Sequence, residues 1–172
     1  MDAGQTITVE GFAQLLRLTY IPEKTDKESA VIFDWLRLHA YEYSALAFSV
    51  HVGQGTTPDP THLVGVQATT QYSSQKRIDI LAWQGTQPYI GEAKYRLGPA
   101  ALGQLHTYAL LWTQEHPYAA PPLLFAVGRY SDPDTLAVLY AHHVTVYLIA
   151  EPPGSGGPVD RTVPLVDAPP AA

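Results

Sequence analysis

Three residues, Asp79, Glu92 and Lys94, are of types and at spacings that can do chemistry together. Asp79 lies in the segment RIDILAW (77–83), and Glu92 and Lys94 lie in YIGEAKY (89–95). Gly85-Thr86-Gln87-Pro88 between them is a turn, so the spacing predicts a β-hairpin. Side chains alternate along a strand, which places Asp79 with Arg77 and Leu81 and places Glu92 with Ile90 and Lys94. Two carboxylates on neighbouring strands can converge on one hard cation. Mg²⁺ suits such a site because it takes oxygen ligands and keeps several waters; Mn²⁺ is the alternative ion. Lys94 would then polarise an attacking water or stabilise the charge that grows on a phosphate. The set suits metal-assisted phosphodiester hydrolysis. The plainer alternative is a solvated hairpin whose cross-strand ion pairs are worth ~0.2–1 kcal/mol each.

The rest of the chain supplies elements that could hold this hairpin. Val9, Phe12, Leu15 and Leu16 recur at helical spacing before Ile21-Pro22 breaks the pattern. A longer helix opens at Asp26-Lys27-Glu28, with Asp26 as N-cap, and its apolar face is Val31, Ile32, Trp35, Leu36, Leu38 and His39. From Ala45 to Val52 the period becomes two, with Leu46, Phe48, Val50 and Val52 on one face, which predicts a strand. GQGTTPDPT (53–61) is a loop, and Leu63–Val66 a short strand or turn. Gly98-Pro99 starts a helix with buried Leu102, Leu105, Ala109 and Trp112, ending near His116-Pro117. Leu123–Val127 is a strand, Asp132 and Asp134 begin a helix that buries Leu136, Leu139 and Tyr140, and Val144–Ile149 is the last strand. This order of elements predicts an α/β protein with a mixed central β-sheet flanked by helices. Residues 1–27 form an N-terminal segment with a short helix, 28–150 the α/β domain, and 151–172 a tail. That tail, EPPGSGGPVDRTVPLVDAPPAA, is rich in Pro and Gly and aperiodic, so by itself it would be extended.

The spacing of Asp79 and Glu92-Ala93-Lys94 resembles the PD-(D/E)XK nuclease superfamily, which includes type II restriction enzymes, Holliday-junction resolvases and RecB-type exonucleases. The superfamily's core order of helix, three strands, helix, strand matches residues 28–127. Gln104 and Tyr108 resemble the Gln-x-x-x-Tyr element of the RecB/Cas4-like branch, and RIDILAW, YIGEAKY and ALGQLHTYALLW together resemble small bacteriophage-encoded members. The proline that gives the motif its first letter is absent, since Ile78 precedes Asp79. The resemblance implies a restriction-endonuclease-like core and Mg²⁺ or Mn²⁺ held by Asp79, Glu92 and the Ala93 carbonyl. It also implies Lys94 positioning water, and an acid from the first helix. At ~100° per residue, Glu28 shares the face of Val31, Ile32, Trp35 and His39, Glu42 returns to it, and Asp34 sits to the side. Glu28 is therefore the first choice, then Glu42, then Asp34. An acid in the first helical turn is also favoured by the helix dipole alone.

Lys76, Arg77, Lys94 and Arg96 fall within 21 residues around this site and could bind a phosphate backbone by charge. They could equally balance Asp79 and Glu92. Gln104 and Tyr108 join them as nucleic-acid contacts only through the resemblance. Other candidates are weaker. His142-His143 begin a strand and point to opposite faces, so they do not share a metal. His106 and His116 flank Trp112 on a helix, and Gly53-Gln54-Gly55 lacks the third glycine of a dinucleotide fingerprint.

Ten Lys+Arg against 16 Asp+Glu give a net charge of −6, which argues against coating nucleic acid by bulk charge. No cysteine is present, excluding thiolate catalysis and cysteine zinc sites. No secretory signal is visible at the N-terminus. Two functions are expected. One is a metal-dependent deoxyribonuclease acting on DNA in a host cytoplasm. The other is a phage virion component, at the head-completion or neck position, that keeps the nuclease fold. In the second, residues 151–172 would dock on a neighbouring subunit or on another copy of the chain.

Overall fold

The computed structural model describes residues 3–8, 11–15, 17, 20–21 and 23–151. Among the described residues six strands form one sheet: β1 (Ile7–Thr8), β2 (Ala45–Val52), β3 (Lys76–Gln84), β4 (Gln87–Arg96), β5 (Leu123–Tyr130) and β6 (Thr145–Leu148). They lie side by side in chain order, β1 through β4 antiparallel and β4, β5 and β6 parallel. Parallel neighbours need crossover connections, and α4 (Ala100–Glu115) and α5 (Pro133–Ala141) supply them. The result is an α/β fold with a mixed, open sheet flanked by helices α2 (Asp26–His39), α3 (Val64–Ser74), α4 and α5; a single turn, α1 (Phe12–Leu15), precedes them. Among the described residues no helix is long and apolar enough to cross a membrane.

Each face of the sheet has its own apolar core. On one face α1 and α2 bury Phe12, Leu15, Val31, Ile32, Trp35 and Leu36 against Leu46, Phe48, Ile80, Ala93 and Phe125. Trp35 stacks on Phe125 with ring centroids 5.2 Å apart. On the other face Ala101, Leu105, Tyr108 and Trp112 of α4, with Leu139 of α5, cover Ala47, Val52, Ile78, Leu81, Ile90 and Ala126.

Helix α2 starts one residue earlier than the charge pattern suggests. Thr25, not Asp26, is the N-cap, and it forms a capping box with Glu28 at the third helical position. Leu38 is exposed rather than part of the buried face. Of the N-terminal apolar set, Phe12 and Leu15 are buried; Val9 and Leu16 lie outside the described residues, as does the tail from 152 onward.

Helix α3 stands where the sequence suggests only a short strand or turn over 63–66 and nothing further before the next strand. It buries no residue, so it carries no apolar period to read. It is held at its C-terminal end, where Tyr72 stacks on His51 at 3.9 Å and Gln75 donates to the Gly53 carbonyl at 2.6 Å.

Three further expectations are corrected. In α4 the buried stripe is Ala101, Leu105, Tyr108 and Trp112, which turns Tyr108 inward in place of Ala109. In α5 Leu139 is buried but Tyr140 is exposed. His142 and His143 are not in a strand: His142 caps α5 and His143 has left-handed backbone (φ 56°) in the turn before β6.

Candidate functional site

Strict alternation fails at one place in the sheet. Leu46 and Phe48 face α2, yet Val50 and Val52 belong to the α4 side; likewise Ile80 faces α2 and Ile78 faces α4. The phase changes across Ser49 and Asp79. Ser49 is buried with left-handed backbone, φ 53°, uncommon for a non-glycine residue. Asp79 therefore does not share one continuous face with both Arg77 and Leu81. The expected grouping holds only while the ladder is regular.

At the same level β3 and β4 part. Their pairing runs from Gln84↔Gln87 to Ile80↔Gly91 and stops there. Beyond it, the Ala93 backbone N–H donates to Asp79 Oδ2 at 3.0 Å, so a carboxylate replaces a strand carbonyl. The opening between the strands holds the candidate site. Asp79 and Glu92 are both buried, Glu92 completely. Lys94 Nζ stands 2.8 Å from Glu92 Oε1, off the hydrogen-bond direction, and 3.3 Å from Glu28 Oε1 in the first turn of α2. Among the described residues Glu92 Oε2 has no hydrogen-bond partner.

The structure thus brings together Asp79, Glu92, Lys94 and Glu28, and adds one residue that sequence reasoning missed. Lys24 pairs with Asp79 Oδ1, and its side chain is only 6% exposed. A single lysine in the loop before α2 carries no pattern. The available signal was charge balance, because two buried carboxylates with one lysine call for a second cation.

The electrostatics follow from this crowding. Burial, and then the neighbouring Asp79 charge, push the Glu92 carboxyl up to about 7, against the pull of Lys94. Burial pulls Lys94 down, but Glu92, Asp79 and Glu28 outweigh it and hold the ammonium charged. Glu28 is raised by burial and lowered more strongly by its hydrogen bonds with Thr25 and by Lys94, so it stays ionised. Tyr108, which accepts a hydrogen bond from Gln104 Nε2 at 3.1 Å, is pushed up to about 12 by burial and by the Glu92 and Asp79 charges. Gln104 and Tyr108 are thus bonded to each other on α4, and the Tyr108 hydroxyl senses both acids.

The other first-helix acids lie elsewhere. Asp34 pairs with buried Arg129 and with Arg37, and Glu42 pairs with His39 at 2.6 Å beyond the C-terminal end of α2. Lys76 and Arg96 are exposed at the end of the sheet where β3 begins and β4 ends. Arg96 lies over the Tyr130 ring at 5.8 Å. Arg77 pairs with Glu23, next to Lys24. Ala93 contributes its N–H to Asp79.

Among the described residues no three acidic or imidazole side chains come together as a ready cluster for a metal ion. Asp79 and Glu92 nevertheless offer hard oxygens in one buried place, and Glu92 Oε2 is unpartnered there. That set fits a small divalent ion that keeps most of its waters, provided the Lys24 ammonium gives way. Comparison with known proteins finds no family model that matches the chain, no similar curated protein and no similar solved structure.

Proposed function

We propose that this chain is a metal-dependent nuclease of the PD-(D/E)XK type, with a restriction-endonuclease-like core, that hydrolyses phosphodiester bonds in DNA. The observation that carries the reading is the buried Glu92 carboxylate, one oxygen unpartnered, beside Asp79 in the gap between β3 and β4. Asp79 and Glu92, with the Ala93 carbonyl, would hold Mg²⁺ or Mn²⁺. When bound, that ion supplies Lewis-acid polarisation of the phosphate and a more acidic water.

The remaining roles belong to the chain's own side chains. Lys94, held charged and partly exposed, orients the attacking water and offsets charge on the phosphate oxygens. Glu28 fixes the Lys94 ammonium at 3.3 Å and is the residue placed to accept a proton from water. Lys76 and Arg96, exposed at the same end of the sheet, suit contact with a phosphate backbone, which would make binding strongly salt-dependent. Tyr108, close enough on α4 to sense both acids, and Gln104 bonded to it suit positioning rather than base contact.

The test is incubation of purified protein with plasmid and linear DNA in Mg²⁺ or Mn²⁺. Cleavage by wild type that is lost in Asp79→Ala and in Lys94→Ala is the expected result. Cleavage absent under every condition, or unaffected by both substitutions, overturns the reading.

A second reading is favoured by a specific observation: both buried acids already have an ammonium partner, Lys24 on Asp79 and Lys94 on Glu92. A buried acid pair already matched by two lysines suits a phage head-completion or neck component that keeps the nuclease fold as a scaffold. It would work in the virion with phage structural proteins, or copies of itself, as partners. Recovery of the chain in purified particles, with no cleavage, is the outcome that selects this reading.

A further inference from the structure

The Lys24–Asp79 pair is the least expected feature of the site. Burying an ammonium is costly unless it is paired, and here the Lys24 side chain is 6% exposed and that of Asp79 is 3% exposed. Lys24 occupies Asp79 Oδ1, an oxygen that a metal ligand would need free. The segment that delivers it is held under strain. Glu23, the residue before Lys24, has left-handed backbone at φ 62°, which a side-chain-bearing residue adopts at a cost. Its tethers lie at the surface. The Glu23 carboxylate pairs with Arg77 and stands 3.8 Å from His51 Nε2, and the Glu23 N–H donates to the Tyr20 hydroxyl at 3.0 Å. Exposed pairs of this kind hold weakly. The segment is thus buried at its tip, turned by the Lys24 N–H on the carbonyl of buried Ile21, and tied at Glu23 only by exposed contacts.

We propose that Lys24 is an internal stand-in cation that holds the metal position closed, and that a divalent ion enters only by displacing the Lys24 ammonium from Asp79. This rests on the metal-dependent reading above and adds its regulation. The charges support the exchange. The cluster contains three carboxylates (Asp79, Glu92, Glu28) and two ammoniums (Lys24, Lys94), so one negative charge remains when all are ionised. Replacing Lys24 by a divalent ion cancels that charge and supplies a partner for Glu92 Oε2. Withdrawal of Lys24 without an incoming ion instead leaves Asp79 and Glu92 as like charges side by side in a buried place. The site is therefore stable with Lys24 in or with the metal in, and unstable with neither.

The experiment uses Mn²⁺ alone, without DNA, on wild type and Lys24→Gln. Mn²⁺ binding is followed by the resonance of free Mn²⁺ and by calorimetry. In parallel, amine-selective labelling of the wild type, read by mass spectrometry, reports the exposure of Lys24. Lys24→Gln should bind Mn²⁺ about tenfold or more tighter than wild type, a factor usual for two competing ligands. In wild type, saturating Mn²⁺ should raise Lys24 labelling about tenfold or more, with Lys76 labelling unchanged. Equal or weaker Mn²⁺ affinity in Lys24→Gln, or a Lys24 that stays protected in Mn²⁺-saturated wild type, overturns the inference. If Lys24→Gln does not fold, the wild-type labelling decides alone. Release of Lys24 by Mn²⁺ with no DNA cleavage keeps this inference and removes the nuclease reading. Cleavage without release removes this inference and keeps the nuclease reading. Absence of Mn²⁺ binding to either protein at millimolar concentration removes both.

Discussion

The Asp79 carboxylate accepts the Ala93 backbone N–H at 3.0 Å, at the point where β3 and β4 cease to pair. One side chain thereby does two jobs: it closes the end of a strand ladder and forms half of the buried acid pair. A backbone donor held this way fixes the carboxylate and leaves its other oxygen to face Lys24.

Asp79→Ala should therefore destabilise the fold as well as remove the site. It leaves a buried ammonium and a backbone N–H without their acceptor, a loss of about 3–5 kcal/mol. Asp79→Asn keeps an acceptor for Ala93 and should lose about 1–2 kcal/mol less. Urea denaturation of the two variants checks the order.

Glu92 makes the protein less stable as the pH rises. Its folded-state carboxyl titrates near 7, above the ordinary value of 4.5, so the folded protein binds this proton more tightly than the unfolded chain. The contribution to stability is undiminished below the ordinary value, falls as pH rises through the window, and is lost above about 7. Glu92→Gln removes the dependence. Its stability relative to wild type should improve between pH 5 and pH 8 by up to about 3 kcal/mol, at ~1.4 kcal/mol for each tenfold difference in proton affinity between the folded and unfolded chain. Denaturation at the two pH values reads this directly.

Gly91 is the residue beside Glu92 where no side chain fits, because an added Cβ would overlap the Phe125 ring that stacks on Trp35. Gly91→Ala should cost about 1–3 kcal/mol through overpacking. Thermal melting checks it. The loss should be insensitive to pH, unlike that of Glu92 variants.

Asp34 tests the assignment of the first-helix acid. It pairs with Arg129, whose side chain is 4% exposed and also donates to the Ile149 and Ala150 carbonyls. Asp34→Ala should lose about 3 kcal/mol, the low end for breaking a buried pair because Arg129 retains partners. Its Mn²⁺ affinity should match wild type, whereas Glu28→Ala should change it. Denaturation and calorimetry on the two variants separate the roles.

The sequence by itself determined the elements whose periodicity comes from burial. Strands β2 to β6 and helices α2, α4 and α5 place apolar residues at repeating intervals because each lies on a core, and the turn at Gly85-Thr86 sets β3 and β4 beside each other. Asp79, Glu92 and Lys94 were legible for that reason. Only the tertiary structure decided what depends on contacts between distant segments. Helix α3 buries nothing and so leaves no period. The change of face at Ser49 and Asp79 is a departure from alternation that a pattern of period two cannot encode. Helical geometry ranks Glu28 before Glu42 and Asp34, but their partners are set only by the fold: Lys94 for Glu28, His39 for Glu42, Arg129 for Asp34. Lys24 reaches Asp79 across 55 residues of chain, and a pairing over that separation is created by folding, not by local spacing.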